Sequence, residues 1–183
     1  NCAEPMFCVT FDLDITHFYE TVRKKNLSFT FALIYTVTAC ANRVEEFRYR
    51  FLSGRVVLFD KIDTAFTYLD KETELFKVVN VPFAGTMEEY VMAASAAAEA
   101  QKEYFTGPLG NDVFQFSPMP WVTYRHISHT NPGRKDNATP LFDWGRYYES
   151  GGRLLLPFSV QAHHSFVDGL HIGRLAEQLQ SSL

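Results

Sequence analysis

At 183 residues the chain has about the length of one domain, and its 46% hydrophobic against 21% charged residues exclude a disordered protein. Aromatic residues reach 15%, with 17 Phe and 9 Tyr, enough to fill a core without disulfides or metals. The formal net charge is -4 with no basic stretch, which points away from nucleic acid as a partner. The longest apolar run, Phe29 to Ala41, is too short to span a bilayer and contains Thr30, Thr36 and Thr38, so no membrane partner is expected. Cys2, Cys8 and Cys40 lack metal-ligand spacing and read as reduced thiols of a cytoplasmic protein. Asn1-Cys2-Ala3-Glu4 shows neither a methionine nor a signal-peptide pattern and reads as a shortened start.

Met6 to Ile15 reads as a strand, and Thr16 as the cap of a short helix reaching Lys25. Phe29 to Arg43 is apolar on most faces, the pattern of a buried helix. Short β-rich pieces follow at Phe47 to Leu52, Arg55 to Phe59, Ala65 to Leu69 and Leu75 to Val81, with Ser53-Gly54 and Lys71-Glu72 at hairpin tips. The clearest helix is Met87 to Tyr104. Thr86 and Glu89 have capping-box spacing, and Met87, Tyr90, Val91, Ala94 and Ala98 recur at the helical period. Thr106 to Asp112 is a Gly/Pro loop. Val113 to Ser117 and Val122 to Ser128 read as strands around a proline-bracketed break, and Thr130 to Pro140 as a polar loop. Arg153 to His163 is a strong strand, and Ile172, Leu175, Ala176, Leu179 and Leu183 define a terminal amphipathic helix. This order lacks a strict βαβ rhythm. It predicts an α/β fold of the two-layer sandwich type, a mixed β-sheet covered by helices, as one domain over 1–183.

The stretch that carries chemistry is Gln161-Ala162-His163-His164-Ser165-Phe166-Val167-Asp168-Gly169. By strand alternation Leu156, Phe158, Val160, Ala162 and His164 share one face, and Ser159, Gln161 and His163 the other. That predicts His164 turned into the interior and His163 on the more polar face. A desolvated imidazole stays neutral, and a neutral imidazole is a competent general base. Asp168-Gly169 makes a turn in which Asp168 caps the last helix. Two other readings stay open: a buried histidine satisfied by backbone, and a metal site from His164, Asp168 and His171, which requires all three on one helix. His17 and His126 read as surface or packing residues.

His163-His164-x-x-x-Asp168-Gly169, preceded by Leu154-Leu155-Leu156-Pro157-Phe158-Ser159-Val160-Gln161, resembles the active-site strand of chloramphenicol acetyltransferases. The likeness extends through His171 and the final helix, to Phe116-Ser117-Pro118-Met119-Pro120-Trp121 and to Asp143-Trp144-Gly145-Arg146-Tyr147. Weaker similarity covers Asp14-Ile15-Thr16, Tyr35 to Arg48 and Lys71-Glu72-Thr73-Glu74. Dihydrolipoyl acyltransferase cores and peptide-synthetase condensation domains carry related histidine motifs. The combination with Ser-x-x-Pro-Trp at Ser117 to Trp121 selects the family.

The resemblance implies a homotrimer with active sites between subunits, acetyl-CoA as cosubstrate, no metal, and a small-molecule hydroxyl acceptor. It gives His164 the role of general base, Ser117 that of hydrogen-bond donor to the tetrahedral oxyanion, and Asp168 that of a structural carboxylate. The family pairs that carboxylate with an arginine near the N-terminus, for which this sequence shows no equivalent; Arg23, Arg43, Arg48 and Arg50 are not assignable to it. Trp121, Arg146 and Tyr147 match the coenzyme path. A family lysine near the start of the second helix is Ser28 here, with Lys24 and Lys25 close by as substitutes. Phe7, Leu69, His129 and Asn131 match the acceptor pocket. Leu69 stands where an aromatic is usual, and His129 and Asn131 where apolar side chains are usual, which predicts a more polar acceptor. Beside this reading stand a dihydrolipoyl-type acyltransferase acting on a thiol, and a catalytically silent trimer that only binds a small molecule.

Overall fold

The computed structural model of the protein describes residues 5–106, 110–129 and 137–183. In chain order the elements are β1 (Met6–Asp14), α1 (Thr16–Lys24), α2 (Phe29–Arg43), β2 (Tyr49–Leu52), β3 (Arg55–Leu58), β4 (Asp63–Asp70), β5 (Leu75–Val81), α3 (Met87–Ala100), β6 (Val113–Phe116), β7 (Leu141–Trp144), β8 (Tyr148–Ser150), β9 (Arg153–His163) and α4 (Gly169–Ser182). The main sheet runs β1-β9-β7-β6-β4-β5, with β8 added to β9. β6 lies parallel to both β4 and β7, and the other pairings are antiparallel. This is the mixed sheet of a two-layer α/β sandwich.

A line of rings marks the face that the helices cover. Phe116, Phe142 and Phe158 pack in sequence across β6, β7 and β9 at centroid distances of 5.4 and 6.1 Å, and Phe31 of α2 packs on Phe66 of β4 at 5.2 Å. Helix α2 tolerates its threonines inside this core because Thr36 and Thr38 donate back to Ala32 O and Ile34 O at 3.0 and 2.7 Å. The hairpin tip at Ser53-Gly54 forms as expected, both residues taking positive φ (51° and 75°), the backbone that a two-residue turn requires. No helix among the described residues is long and apolar enough to cross a membrane.

Several boundaries differ from the sequence expectation. Thr16 does not cap α1. Ile15 stands at the N-cap without a side-chain bond, and the Asp14 carboxylate accepts from Thr16 N–H and Thr16 Oγ1 at 3.1 and 2.6 Å. Helix α3 has the full capping box at Thr86 and Glu89 but stops at Ala100, short of Tyr104. There Lys77 Nζ donates to the carbonyls of Ala98 and Gln101, and Tyr104 O accepts from Val78 N–H at the free edge of β5. Val122 to Ser128 forms no strand. The sheet takes Leu141–Trp144 in its place, because this segment continues the parallel pairing with β6 while 122–128 crosses over the sheet.

Candidate active site

β9 ends at His163, and the strand alternation ends with it. The expectation for the two histidines is reversed. His163 is only 4% exposed, whereas His164 lies exposed in the turn beyond the strand. His163 is covered by the β2–β3 hairpin and the following turn: its ring meets Phe51 at 5.3 Å and Phe166 at 5.8 Å, and its Nδ1 accepts from Ser165 N–H at 3.1 Å. His164 is anchored by its backbone N–H to Pro5 O at 2.8 Å, and its ring lies 4.9 Å from that of Phe7. Among the described residues its imidazole nitrogens carry no hydrogen bond, so they face outward to whatever approaches.

Asp168 caps α4 as expected, accepting from Leu170 N–H at 2.9 Å. Its partner is His171, whose Nδ1 accepts from Asp168 N–H at 3.0 Å while Nε2 lies 3.2 Å from Glu46. Because α4 begins at Gly169, His164 cannot share a helical face with Asp168 and His171, and the metal reading loses its geometry. No group of three or more metal-ligating side chains is gathered among the described residues.

Ser117 continues β6 beside β7, its N–H donating to Phe142 O at 3.1 Å. Its neighbours Pro118, Pro120 and Trp121 form one wall of a cleft of about 410 Å³, with Ser28, Leu69, Lys71 and Phe76 on the others. The exposed Trp121 ring meets Phe76 at 6.1 Å. Leu69 therefore sits with Trp121 rather than with Phe7. Tyr147 leans on α1, its hydroxyl 3.0 Å from that of Tyr19 and its ring 6.4 Å from Phe29, next to Ser28; Arg146 is exposed beside it. Lys24 and Lys25 both face carboxylates, Glu20 at 3.8 Å and Glu88 at 2.6 Å. Asn131 lies outside the described residues.

His129 is held by a partner that sequence reasoning did not supply. Its Nε2 lies 2.6 Å from Oδ2 of Asp143, a carboxylate with no exposure. Burial pushes the Asp143 carboxyl up, and the His129 contact pulls it only part of the way back. Tyr124 lies above the same strands, its phenol pushed up to about 12, first by burial and then by the Asp143 charge, with the Ser159 hydroxyl offsetting part of the rise. Asp143 stood in a segment of family likeness without a role, and its strand is buried on both faces, so no alternation marked it.

The family model described as chloramphenicol acetyltransferase matches residues 1–180. A chloramphenicol acetyltransferase 2 of Escherichia coli is 30% identical over 178 residues, which cover 95% of this chain and 84% of that protein. A solved chloramphenicol acetyltransferase superposes with a TM-score of 0.89 at 25% identity, covering 98% of this chain and 88% of the other. A dihydrolipoamide acetyltransferase of Azotobacter vinelandii shares the fold at a TM-score of 0.69 and 14% identity, over 97% of this chain and 80% of the other. With a model match over nearly every residue and a fold that superposes to this degree, the chain belongs to the chloramphenicol acetyltransferase family and is an acyltransferase.

Proposed function

We propose that the chain forms one acetyltransferase domain that works as a cytoplasmic homotrimer, moving the acetyl group of acetyl-CoA to a hydroxyl of a small molecule such as chloramphenicol. His164 of one copy takes the proton of the acceptor hydroxyl. The oxygen attacks the thioester carbonyl carbon, and the Ser117 hydroxyl of another copy donates to the resulting oxyanion. The C–S bond breaks, and the proton passes from the imidazole to the departing sulfur. The cleft of Ser28, Leu69 and Trp121 takes the coenzyme arm, with Arg146 and Tyr147 at its side, and Phe7 packs the acceptor against His164. Asp168 holds the turn after His164 by capping α4.

One observation carries this reading. Through the sheet register, Ser117 stands level with Asp143 and Ser159, two strands and five residues away from His164. At about 4.8 Å per strand spacing and about 3.3 Å per residue, that is roughly 19 Å, too far for both groups to reach one carbonyl carbon. An exposed, unbonded imidazole and a serine beside a cleft are two half-sites, and joining them takes a second copy.

Mixed oligomers test it. His164→Ala and Ser117→Ala copies are each inactive as single species. Unfolded together in equal amounts and refolded, they regain about a quarter of wild-type coenzyme release, because one random pairing in four joins an intact histidine to an intact serine. No recovery in oligomers shown to contain both variants overturns the shared site.

A further inference from the structure

On the face of the sheet turned away from the helices, four neighbouring strands each contribute one polar side chain to a row. Ser117 stands beside Asp143, Asp143 pairs with Ser159, and Ser159 pairs with Thr10, whose hydroxyl lies 2.7 Å from that of Ser159. The parallel pairing of β6 and β7 persists past Ser117, since Met119 bridges to Gly145. The segment from Met119 to His129 roofs the row. It lies so close at Gly145 that a Cβ there would come within 2.7 Å of Val122 O and 3.0 Å of the Tyr124 ring. At the Thr10 end the row opens into a cleft of about 500 Å³ lined by Thr10, Asp12, Tyr124, Arg125 and Tyr148, the volume of a small-molecule site.

Two polar atoms in this region are buried without a well-formed hydrogen bond: Oδ1 of Asp143, and the phenol oxygen of Tyr124, which feels the Ser159 hydroxyl but makes no well-aligned bond to it. Asp143 Oδ2 is already taken by His129, which fixes how the carboxylate points. A carboxylate oxygen can only accept, and the phenol has a proton to give. A hydroxyl group answers both, donating to one and accepting from the other. An ammonium group only donates, and an apolar group does neither. A site with such groups discriminates steeply against ligands that leave them unpaired.

We propose that Asp143, positioned by His129, and Tyr124 grip a second hydroxyl of the acceptor, one that is not acetylated, so that the site selects diols and polyols over monohydric alcohols. The proposal rests on the acetyl-transfer reading and specifies its acceptor. Chloramphenicol, a diol, meets the requirement in kind.

Three alcohols that share a phenyl ring and a primary hydroxyl test it: hydrocinnamyl alcohol with no further donor, phenylpropanediol with a second hydroxyl, and phenylalaninol with an ammonium group. In the wild type, kcat/KM for the diol exceeds that for hydrocinnamyl alcohol by about tenfold or more, carried in KM, with phenylalaninol between them. His129→Leu with Asp143→Val replaces both partners by apolar groups, and the diol preference falls to within about twofold while KM for acetyl-CoA is unchanged. Should that pair fail to fold, Tyr124→Phe removes only the phenol hydroxyl and still lowers the diol preference severalfold. Equal use of the three alcohols by the wild type, or an unaltered preference in the folded variants, overturns the proposal. Ligand-observed NMR of the same alcohols separates the two readings. Preferential binding of the diol without transfer fails the acetyltransferase reading alone, and equal or absent binding fails the hydroxyl grip.

Discussion

His163 and His164 are chain neighbours with opposite surroundings, and their substitutions separate accordingly. His163→Ala removes a buried ring from between Phe51 and Phe166 and frees Ser165 N–H, so it costs roughly 1–3 kcal/mol of stability. A lowered urea midpoint checks this. His164→Ala leaves the midpoint near wild type, because the exposed ring supports little packing, and abolishes acetyl transfer. Ser117→Ala lowers kcat roughly a hundredfold to a thousandfold with KM little changed, if its hydroxyl acts only on the charge that develops during attack. Single-turnover rates with acetyl-CoA bound in advance measure that loss. The sequence motif singled out His164 and Ser117, and strand alternation turned His164 inward where the structure exposes it. Alternation predicts a face only while a strand continues, and β9 ends one residue before His164. The contact of His129 with Asp143 was illegible for a different reason: β7 is four residues buried on both sides, with no period to read.

Helices announced themselves where their ends are built from local bonds. The Thr86 and Glu89 spacing implied a capping box, and both of its hydrogen bonds are present. Glu89 is held below its ordinary value of 4.5, first by Thr86 N–H and then by the Thr86 hydroxyl. A carboxyl lowered in the folded state contributes stability that is full above its unfolded pKa and is lost as pH falls through the folded one. Glu89→Gln therefore flattens the acid side of the stability profile below about pH 4.5, and urea midpoints across that range read it out. Asp143 works in the opposite sense. Its carboxyl is raised, so its contribution is most favourable below the ordinary value of 3.8 and fades as pH rises through the folded pKa. Thr86→Ala costs about 1 kcal/mol at neutral pH, the usual loss on deleting an N-cap oxygen. The far end of α3 was unreadable because its stop is tertiary: Lys77, a strand away, binds the last carbonyls. For the same reason 122–128 passed for a strand. Its composition suits one, but the place beside β6 is filled by β7.

At the scale of the whole molecule the alternation of helices and strands was enough to indicate two layers, while the strand order was not, since it depends on pairings between distant segments. Under the proposed shared active site, activity is a property of the assembly. On dilution, turnover per chain falls in step with the loss of oligomer seen by sedimentation, and saturating acetyl-CoA delays both. The pairing of β1 with β9 also dictates a history. β1 is made long before β9, its full nine-residue partner. Until then β1 has no neighbour in the main sheet, and the helices lack the strand whose Leu156, Phe158, Val160 and Ala162 fill the centre of the core. Such distant closure slows folding, because chain entropy is spent before the contacts return it. A nascent chain stalled before Arg153 is therefore expected to be digested by protease throughout, with resistance arriving in one step once α4 clears the ribosome.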